Sequence, residues 1–237
     1  MKKQYFGDEN DYRKYGLLRC IAEATGLDIG ILWLLTADDG RPDGEFRGYL
    51  HDARVRRHDE PLHRALGRLL DEGVLRDVGH AERWGLVPRA TYFDGLFTDA
   101  AEARRATFAA AMRTLAHGSI VFLDPDNGVE VPSVGFGQTN SSRYVYWHEM
   151  SALFERGQSL LVYQHYPRLE RRSFEASLAE KFRVRLAAAE VAVFSTPRVA
   201  FVLALQEAHA KHLPAIRRLV AARWAGQIGE RTVLERA

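Results

Sequence analysis

The hydrophobic positions of the chain are concentrated in short continuous runs, which are separated by longer stretches of mixed polarity. Three of these runs are almost entirely apolar at their centres, namely Ile29–Leu35, Ile120–Leu123 and Leu160–His165. Short continuous runs of this kind are typical of strands that are buried on both faces of a sheet. We therefore expect the three segments to lie side by side at the centre of one mixed sheet.

The stretches between these runs carry apolar residues at the spacing of amphipathic helices. The first helix can be capped by Asp8 or Asn10 and would end at Gly26, because glycine readily adopts the backbone conformation that terminates helices. Further helices are predicted at about residues 60–72, 99–116, 144–155, 171–186 and 208–225.

Two closely spaced apolar runs near the end of the chain, Val191–Ser195 and Val199–Leu205, indicate a β-hairpin closed by Thr196-Pro197-Arg198. Strands that alternate with helices indicate a three-layer α/β fold. We therefore expect a Rossmann-like mixed sheet with a C-terminal hairpin. It is expected to form one domain over residues 1–237, with a helical insertion at 41–88.

Composition narrows the class of protein without identifying its chemistry. The chain has 237 residues, of which 46% are hydrophobic and 27% charged, and its formal net charge is +2. These values are typical of a globular protein with a sizeable core and do not indicate a strongly basic nucleic-acid binder. The single cysteine, Cys20, excludes an internal disulfide framework. Neither a signal peptide nor a membrane-spanning run is visible, so we expect a cytoplasmic protein.

The candidate chemistry is concentrated where the predicted strands end. Asp124–Gly128 reads Asp-Pro-Asp-Asn-Gly and follows the second apolar run, while Gln164 and His165 end the third. Ligands of open α/β sheets bind at the carboxyl ends of the strands. A second polar cluster, formed by Gly7, Asp8, Asp11 and Lys14, stands at the start of the first helix. We expect both clusters to face one cleft.

The carboxylates also allow a second interpretation, a metal-dependent phosphodiesterase or nuclease. Asp124, Asp126 and Glu130 are hard oxygen ligands that suit Mg²⁺ or Mn²⁺. A metal held there could polarise a phosphate and activate water, with Lys14 nearby. Asp8, Asp11 and His165 could complete such a site.

The order of motifs resembles the RlmJ-type ribosomal RNA adenine-N6 methyltransferases, a class I family that uses S-adenosylmethionine (SAM). The resemblance rests on the G-D-x-x-D-Y-x-K-Y helix at Gly7–Tyr15, the L-D-P-D-N-G stretch at Leu123–Gly128, the V-Y-Q-H stretch at Val162–His165 and the closing hairpin. The chain is also similar to a bacterial family that shares the G-D-x-x-D-Y-x-K-Y and L-D-P-D-N-G-x-E stretches. The resemblance implies the class I methyltransferase sheet, SAM as cofactor and a nucleic acid as substrate.

The resemblance also implies residue roles. The catalytic D-P-P-Y motif of the family corresponds to Asp124, Pro125, Asp126 and Asn127, and Asp124 would accept a hydrogen bond from the acceptor amino group. Gln164 and His165 would line the same cleft. The residues implied at the cofactor are Gly7, Asp8, Asp11, Lys14, Thr36 and Asp38.

Two departures from the family pattern keep a third interpretation open. Thr36–Gly40 stands where the family has a glycine-rich cofactor loop, in which glycine lets the backbone approach a ligand closely. Asn127 stands where the family has an aromatic ring that stacks on the extruded base, and Tyr163, Tyr166 or Phe136 could supply a ring from elsewhere. The chain could therefore be a non-catalytic partner protein on a degenerate methyltransferase scaffold.

Overall fold

Seven strands form one mixed sheet in the computed structural model, which describes residues 1–37, 46–70 and 74–231. A further pair of two-residue strands lies beside it. In chain order the strands are β1 Ile29–Leu32, β2 Ala90–Phe93, β3 Ile120–Leu123, β4 Gly128–Val129, β5 Tyr144–Val145, β6 Ser159–His165, β7 Glu190–Ser195, β8 Val199–Leu205 and β9 Gly229–Arg231.

The sheet has a parallel half and an antiparallel half, in the order β2-β1-β3-β6-β8-β7-β9. β1 pairs in parallel with β2 and β3, and β3 pairs in parallel with β6. β8 is antiparallel to both β6 and β7, and β9 adds an antiparallel edge strand to β7. The predicted adjacency of the three apolar runs is confirmed, because β1, β3 and β6 are neighbours. The fold is an α/β, Rossmann-like mixed sheet.

Helices cover both faces of the sheet. The described helices are α1 Glu9–Thr25, α2 Ala53–Arg56, α3 Glu60–Gly67, α4 His80–Arg83, α5 Ala101–Thr114, α6 Trp147–Phe154, α7 Arg171–Leu186, α8 Glu207–Ala210 and α9 Leu213–Trp224. Side chains of a strand alternate between the two faces. Accordingly, Ile120 and Phe122 of β3 pack with α1, α3 and α9, whereas Val121 and Leu123 pack with α5, α6 and α7. This alternation gives three layers.

Several predicted boundaries are corrected by local chemistry. The helix expected at 60–72 ends at Gly67 and continues as a 3₁₀ turn to Leu70, whose side chain is exposed. The segment expected to be helical from 144 instead begins with β5 and becomes helical at Trp147. The last helix is divided before Leu213, where Pro214 occupies the first turn of a new helix. The segment after this last helix, for which no strand was predicted, contains β9.

The predicted insertion at 41–88 falls partly outside the described residues, at 41–45 and 71–73. Its remaining part, between β1 and β2, carries α2, α3 and α4 with short 3₁₀ turns. Whether it is an insertion within one domain stays a prediction. In the described part of the chain, no helix has the length and apolar character needed to cross a membrane.

The substitution Gly16→Ala tests how tightly α1 packs against α9. A Cβ atom added to Gly16 would stand 1.9 Å from the Trp224 ring, which is fully buried. Gly16→Ala should therefore destabilise the fold by about 1–3 kcal/mol, because overpacking outweighs the gain in helix propensity. Gly67→Ala is the matched control, since nothing lies within 4 Å of its added Cβ. Chemical denaturation of both variants checks this; equal stability of Gly16→Ala and wild type would contradict the packing.

Candidate active site at the carboxyl edge of the sheet

The entrance of α1 is a fixed turn rather than a loose helix end. Asp8 caps the helix, since its side chain accepts a hydrogen bond of 2.8 Å from the Asp11 amide. Gly7 has φ +85°, a region that favours glycine, and donates its amide to Asp11 Oδ2 at 2.8 Å. The Tyr49 hydroxyl donates to the Gly7 carbonyl at 3.1 Å. The aspartates of this turn are therefore held in one orientation.

Lys14 connects α1 to the end of β3. Its ammonium lies 2.5 Å from Asp11 Oδ1 and 2.8 Å from Asp124 Oδ2, and its side chain is only 2% exposed. Burial by itself would lower the pKa of Lys14, but the two carboxylates together raise it above its usual value. The ammonium also lies 4.9 Å from the centre of the Trp33 ring, a cation–π contact. Lys14 is thus a buried, charged junction between helix and sheet.

A cavity of about 290 Å³, the Lys14 cavity, opens above this junction at the carboxyl ends of β3 and β6. It is close to the lower end of the about 300–1,000 Å³ that small-molecule sites span. Its lining residues are Met1, Lys2, Tyr5, Asp8, Asn10, Asp11, Lys14, Phe46, Asp124, Pro125, Asp126, Asn127, Arg143, Tyr163, His165 and Arg198. The predicted convergence of the α1 entrance with the Asp-Pro-Asp-Asn stretch and His165 is confirmed. The roles assigned to these residues stay predictions.

Asp126 is held by groups that lie before and after β1. Its Oδ1 atom is 2.7 Å from the Met1 ammonium, and its Oδ2 atom accepts a 2.7 Å hydrogen bond from the Thr36 hydroxyl. The Met1 ammonium also donates to the carbonyl of Asp124 at 3.1 Å. Thr36 therefore does not line the cavity itself, but it contacts Asp126, which does. The predicted cofactor residue Asp38 lies outside the described residues.

Two expected cleft residues face elsewhere. Gln164 points away from the Lys14 cavity, where it accepts the Val129 amide at 2.9 Å and donates to the His165 carbonyl at 2.8 Å. Glu130 donates its amide to the Val145 carbonyl at 2.9 Å and lines two neighbouring depressions. The reason is the β4–β5 pairing, which leads the chain away from the cleft directly after Asn127. Gly7 does not line the cavity, although its amide is bonded to Asp11, which does.

The structure does not bring together the three carboxylates that the sequence suggested as metal ligands. Asp124 and Asp126 line the same cavity, but Asp124 is engaged by Lys14 and Glu130 lies outside that cavity, so the three carboxylates do not converge on one point. Across residues 1–37, 46–70 and 74–231, no group of three or more His, Cys, Asp and Glu side chains is placed to hold a metal ion. The expectation of a joint Asp124, Asp126 and Glu130 site is wrong in its geometry.

Burial raises the pKa of both aspartates at the α1 entrance. Removal from water raises the pKa of Asp8 to about 7, and the neighbouring Asp11 contributes to the same shift. Burial also raises the pKa of Asp11, against the opposing effect of Lys14. His165 behaves in the opposite way: partial desolvation lowers its pKa, while Asp124 and Asp126 oppose that change. Near neutral pH the cavity thus holds an Asp8 that can carry a proton and a His165 that can accept one.

The structure also reveals cavity residues that the sequence did not single out for this site. Asn10 lines the cavity, and its buried Oδ1 atom has no hydrogen-bond partner within the described residues. Arg143 and Arg198 arrive from distant turns, and no local pattern marks either arginine. Tyr163, by contrast, is one of the rings that the sequence offered in place of the missing aromatic residue, and its hydroxyl lies 3.1 Å from His165 Nε2.

No protein-family model matches this chain, and no curated protein matches its sequence. Inference about the site therefore rests on the arrangement of its own residues.

The raised pKa of Asp8 predicts that the stability of the fold depends on pH. Because the folded protein holds this proton up to about pH 7 and the unfolded chain releases it near pH 4, the protonated carboxyl stabilises the fold at low pH. That contribution is lost as pH rises through 7. Asn caps helices as well as Asp does. The melting temperature of Asp8→Asn should therefore rise relative to wild type between pH 4 and pH 7.

The control is Asp52→Asn, which changes the N-cap of α2. Hydrogen bonds from Arg54 hold the pKa of Asp52 below its usual value, so this variant should not gain stability over the same range. Parallel pH profiles for Asp8→Asn and wild type would show that Asp8 titrates normally.

Proposed function

We propose that the protein is a SAM-binding protein of the class I methyltransferase type, whose acceptor is an amino group on a nucleic acid. The order of strands supports this proposal. A parallel β2-β1-β3-β6 half is followed by β8, which is antiparallel and inserted between β6 and β7. A doubly wound sheet that ends in such a hairpin is the arrangement of class I methyltransferases.

The observation that carries the proposal is the position of the Lys14 cavity. The chain leaves β1 towards β2 on one side of the sheet, while β3 and β6 continue on the other side. The place between β1 and β3 where the direction of the connections changes is the topological switch point of the sheet. In open α/β sheets, ligands bind at this point, outside the carboxyl ends of the strands. The α1 entrance and Asp124–Asn127 both line the cavity at this point.

The chemistry of the lining fits SAM. The Oδ1 atom of Asn10, which has no partner in the described part of the chain, and the carboxyl of Asp8 are hydrogen-bond acceptors that suit ammonium or hydroxyl groups. Tyr5 and Tyr163 offer aromatic surfaces to a planar ring. These residues, with Asp11, would hold the cofactor. When bound, SAM supplies an electrophilic methyl group.

The residues after β3 would position the acceptor. Asp124 engages Lys14 through Oδ2, which leaves Oδ1 to accept a hydrogen bond from an amino group. Asn127 is fixed by its backbone, because its amide donates to the Arg143 carbonyl at 2.9 Å and its carbonyl accepts from the Gln164 side chain at 3.3 Å. Methyl transfer depends largely on orientation of the reactants, which a rigid turn of this kind provides.

The ion pairs around Lys14 also favour a second candidate, a binding protein without turnover. Asp11 and Asp124 both engage Lys14 within the fold. A scaffold that retains these contacts for stability alone would keep the cavity and lose the chemistry. Binding and turnover must therefore be measured separately.

Calorimetric titration with SAM, Mg²⁺ and Mn²⁺ tests the proposal. We expect micromolar SAM binding that does not require metal. Asp124→Asn should retain SAM affinity within about threefold. It should lose methyl transfer to nucleic acid, because a carboxylate oxygen that would accept the acceptor amino group is replaced by an amide donor. The change also removes the charge that pairs with the buried Lys14, so the melting temperature of the variant is measured alongside to confirm that it is folded.

Asp28→Asn is the matched control, since Asp28 is exposed and pairs with Arg89 at the opposite edge of the sheet. It should match wild type in binding and turnover. Wild-type protein that binds Mn²⁺ and not SAM would contradict the proposal. SAM binding without transfer by the wild type to any nucleic acid would favour the non-catalytic candidate.

A further inference from the structure

We infer that the mouth of the Lys14 cavity is an anion site, in which Arg143 and Arg198 hold a phosphate group of the ligand that enters beside Asp124. Naming this ligand the methyl acceptor rests on the proposed function. The anion site itself rests on the two arginines and their surroundings.

Arg143 is held in place by its backbone, and its side chain has no partner among the described residues. The turn before it is fixed by Asp99, which accepts the amides of Asn140 and Ser142 at 2.8 Å each. The buried Arg104 donates to the Tyr144 carbonyl at 2.7 Å on the other side. Within the described residues, the half-buried guanidinium of Arg143 makes no hydrogen bond or ion pair, although it lines the cavity.

Arg198 reaches the same cavity from the tip of the β7–β8 hairpin. The turn is closed by the Thr196 hydroxyl oxygen, which accepts the amides of Arg198 at 3.3 Å and Val199 at 3.1 Å. The Arg198 guanidinium lies 4.0 Å from the centre of the Phe46 ring. No carboxylate of the described part of the chain pairs with it. The cation–π contact orients the guanidinium and leaves its N–H groups available.

The carboxylates of the cavity do not neutralise these arginines. Asp11 and Asp124 engage Lys14, and Asp126 engages the Met1 ammonium and Thr36. Their negative charge is compensated at the floor of the cavity, whereas no carboxylate among residues 1–37, 46–70 and 74–231 pairs with the two guanidinium groups at its mouth. A guanidinium is planar and binds phosphate through paired N–H groups, so two of them at one opening define a site for a phosphate.

Aromatic side chains next to the arginines narrow the class of ligand that this site would accept. Phe46 is half exposed and lies under Arg198, and Tyr163 lines the wall beside His165. A phosphate at the arginines would place an attached planar ring against these side chains, where stacking stabilises nucleobases. The shared chemistry is therefore a nucleoside phosphate unit, which a free nucleotide and a single-stranded nucleic acid both contain.

Equilibrium binding of the full chain to four probes tests the site: adenosine, AMP, pyrophosphate and a single-stranded octanucleotide. Wild type should bind at least one phosphate-bearing probe about tenfold or more tightly than adenosine. Arg143→Gln and Arg198→Gln should each reduce that affinity about tenfold, the effect of losing one charge-assisted contact. Arg113→Gln should have no effect, because Arg113 is exposed at the end of α5, close to the opposite edge of the sheet.

The probes distinguish the two sources of phosphate. Preference for the octanucleotide, with a strong dependence on salt, identifies a nucleic acid strand, and preference for AMP identifies a free nucleotide. Equal affinity for adenosine and all three anions would overturn the anion site. Unchanged anion affinity in both glutamine variants would overturn it as well. Titration of the same samples with SAM separates the two proposals. If the wild type does not bind SAM but binds the anionic probes in a way that depends on the two arginines, the proposed function is contradicted and the anion site is not.

Discussion

The buried ammonium of Lys14 is the interaction on which the architecture of the site depends. It contacts one carboxylate of α1 and one at the end of β3, so it fixes the angle and depth at which the first helix meets the sheet. A buried cation is costly unless it is paired, and loss of one partner from such a group costs about 3–5 kcal/mol. Part of the α1 entrance is arranged around this requirement. Asp11, for example, engages both Lys14 and the Gly7 amide.

The same junction separates the cavity into a floor and a mouth of different electrostatic character. At the floor, carboxylates and ammonium groups compensate one another and leave neutral acceptors such as Asn10 facing the space. At the mouth, Arg143 and Arg198 are contributed by turns that have no part in the Lys14 network. This division would direct a ligand, since its cationic or hydroxyl groups would face inward and its anionic group outward.

The sequence predicts the sheet better than it predicts the site. Apolar runs such as Ile120–Leu123 identify the central strands, because burial on both faces leaves no other pattern. β9 has no such signal, since a three-residue edge strand buries little. Gln164 and Glu130 were expected in the cleft because they lie close to it in sequence. Their actual direction depends on the β4–β5 pairing, which involves residues about 16 positions apart. Arg143 and Arg198 reach the cavity only through tertiary structure, so no local pattern could assign them.

A crystal structure of the protein grown with SAM tests the central claim most directly, because it locates the ligand independently of any acceptor. The account predicts density for SAM in the cavity between the α1 entrance and Asp124, with the Lys14 contacts to Asp11 and Asp124 intact. Density for SAM at any other position on the chain, or an empty cavity at saturating SAM, would contradict it.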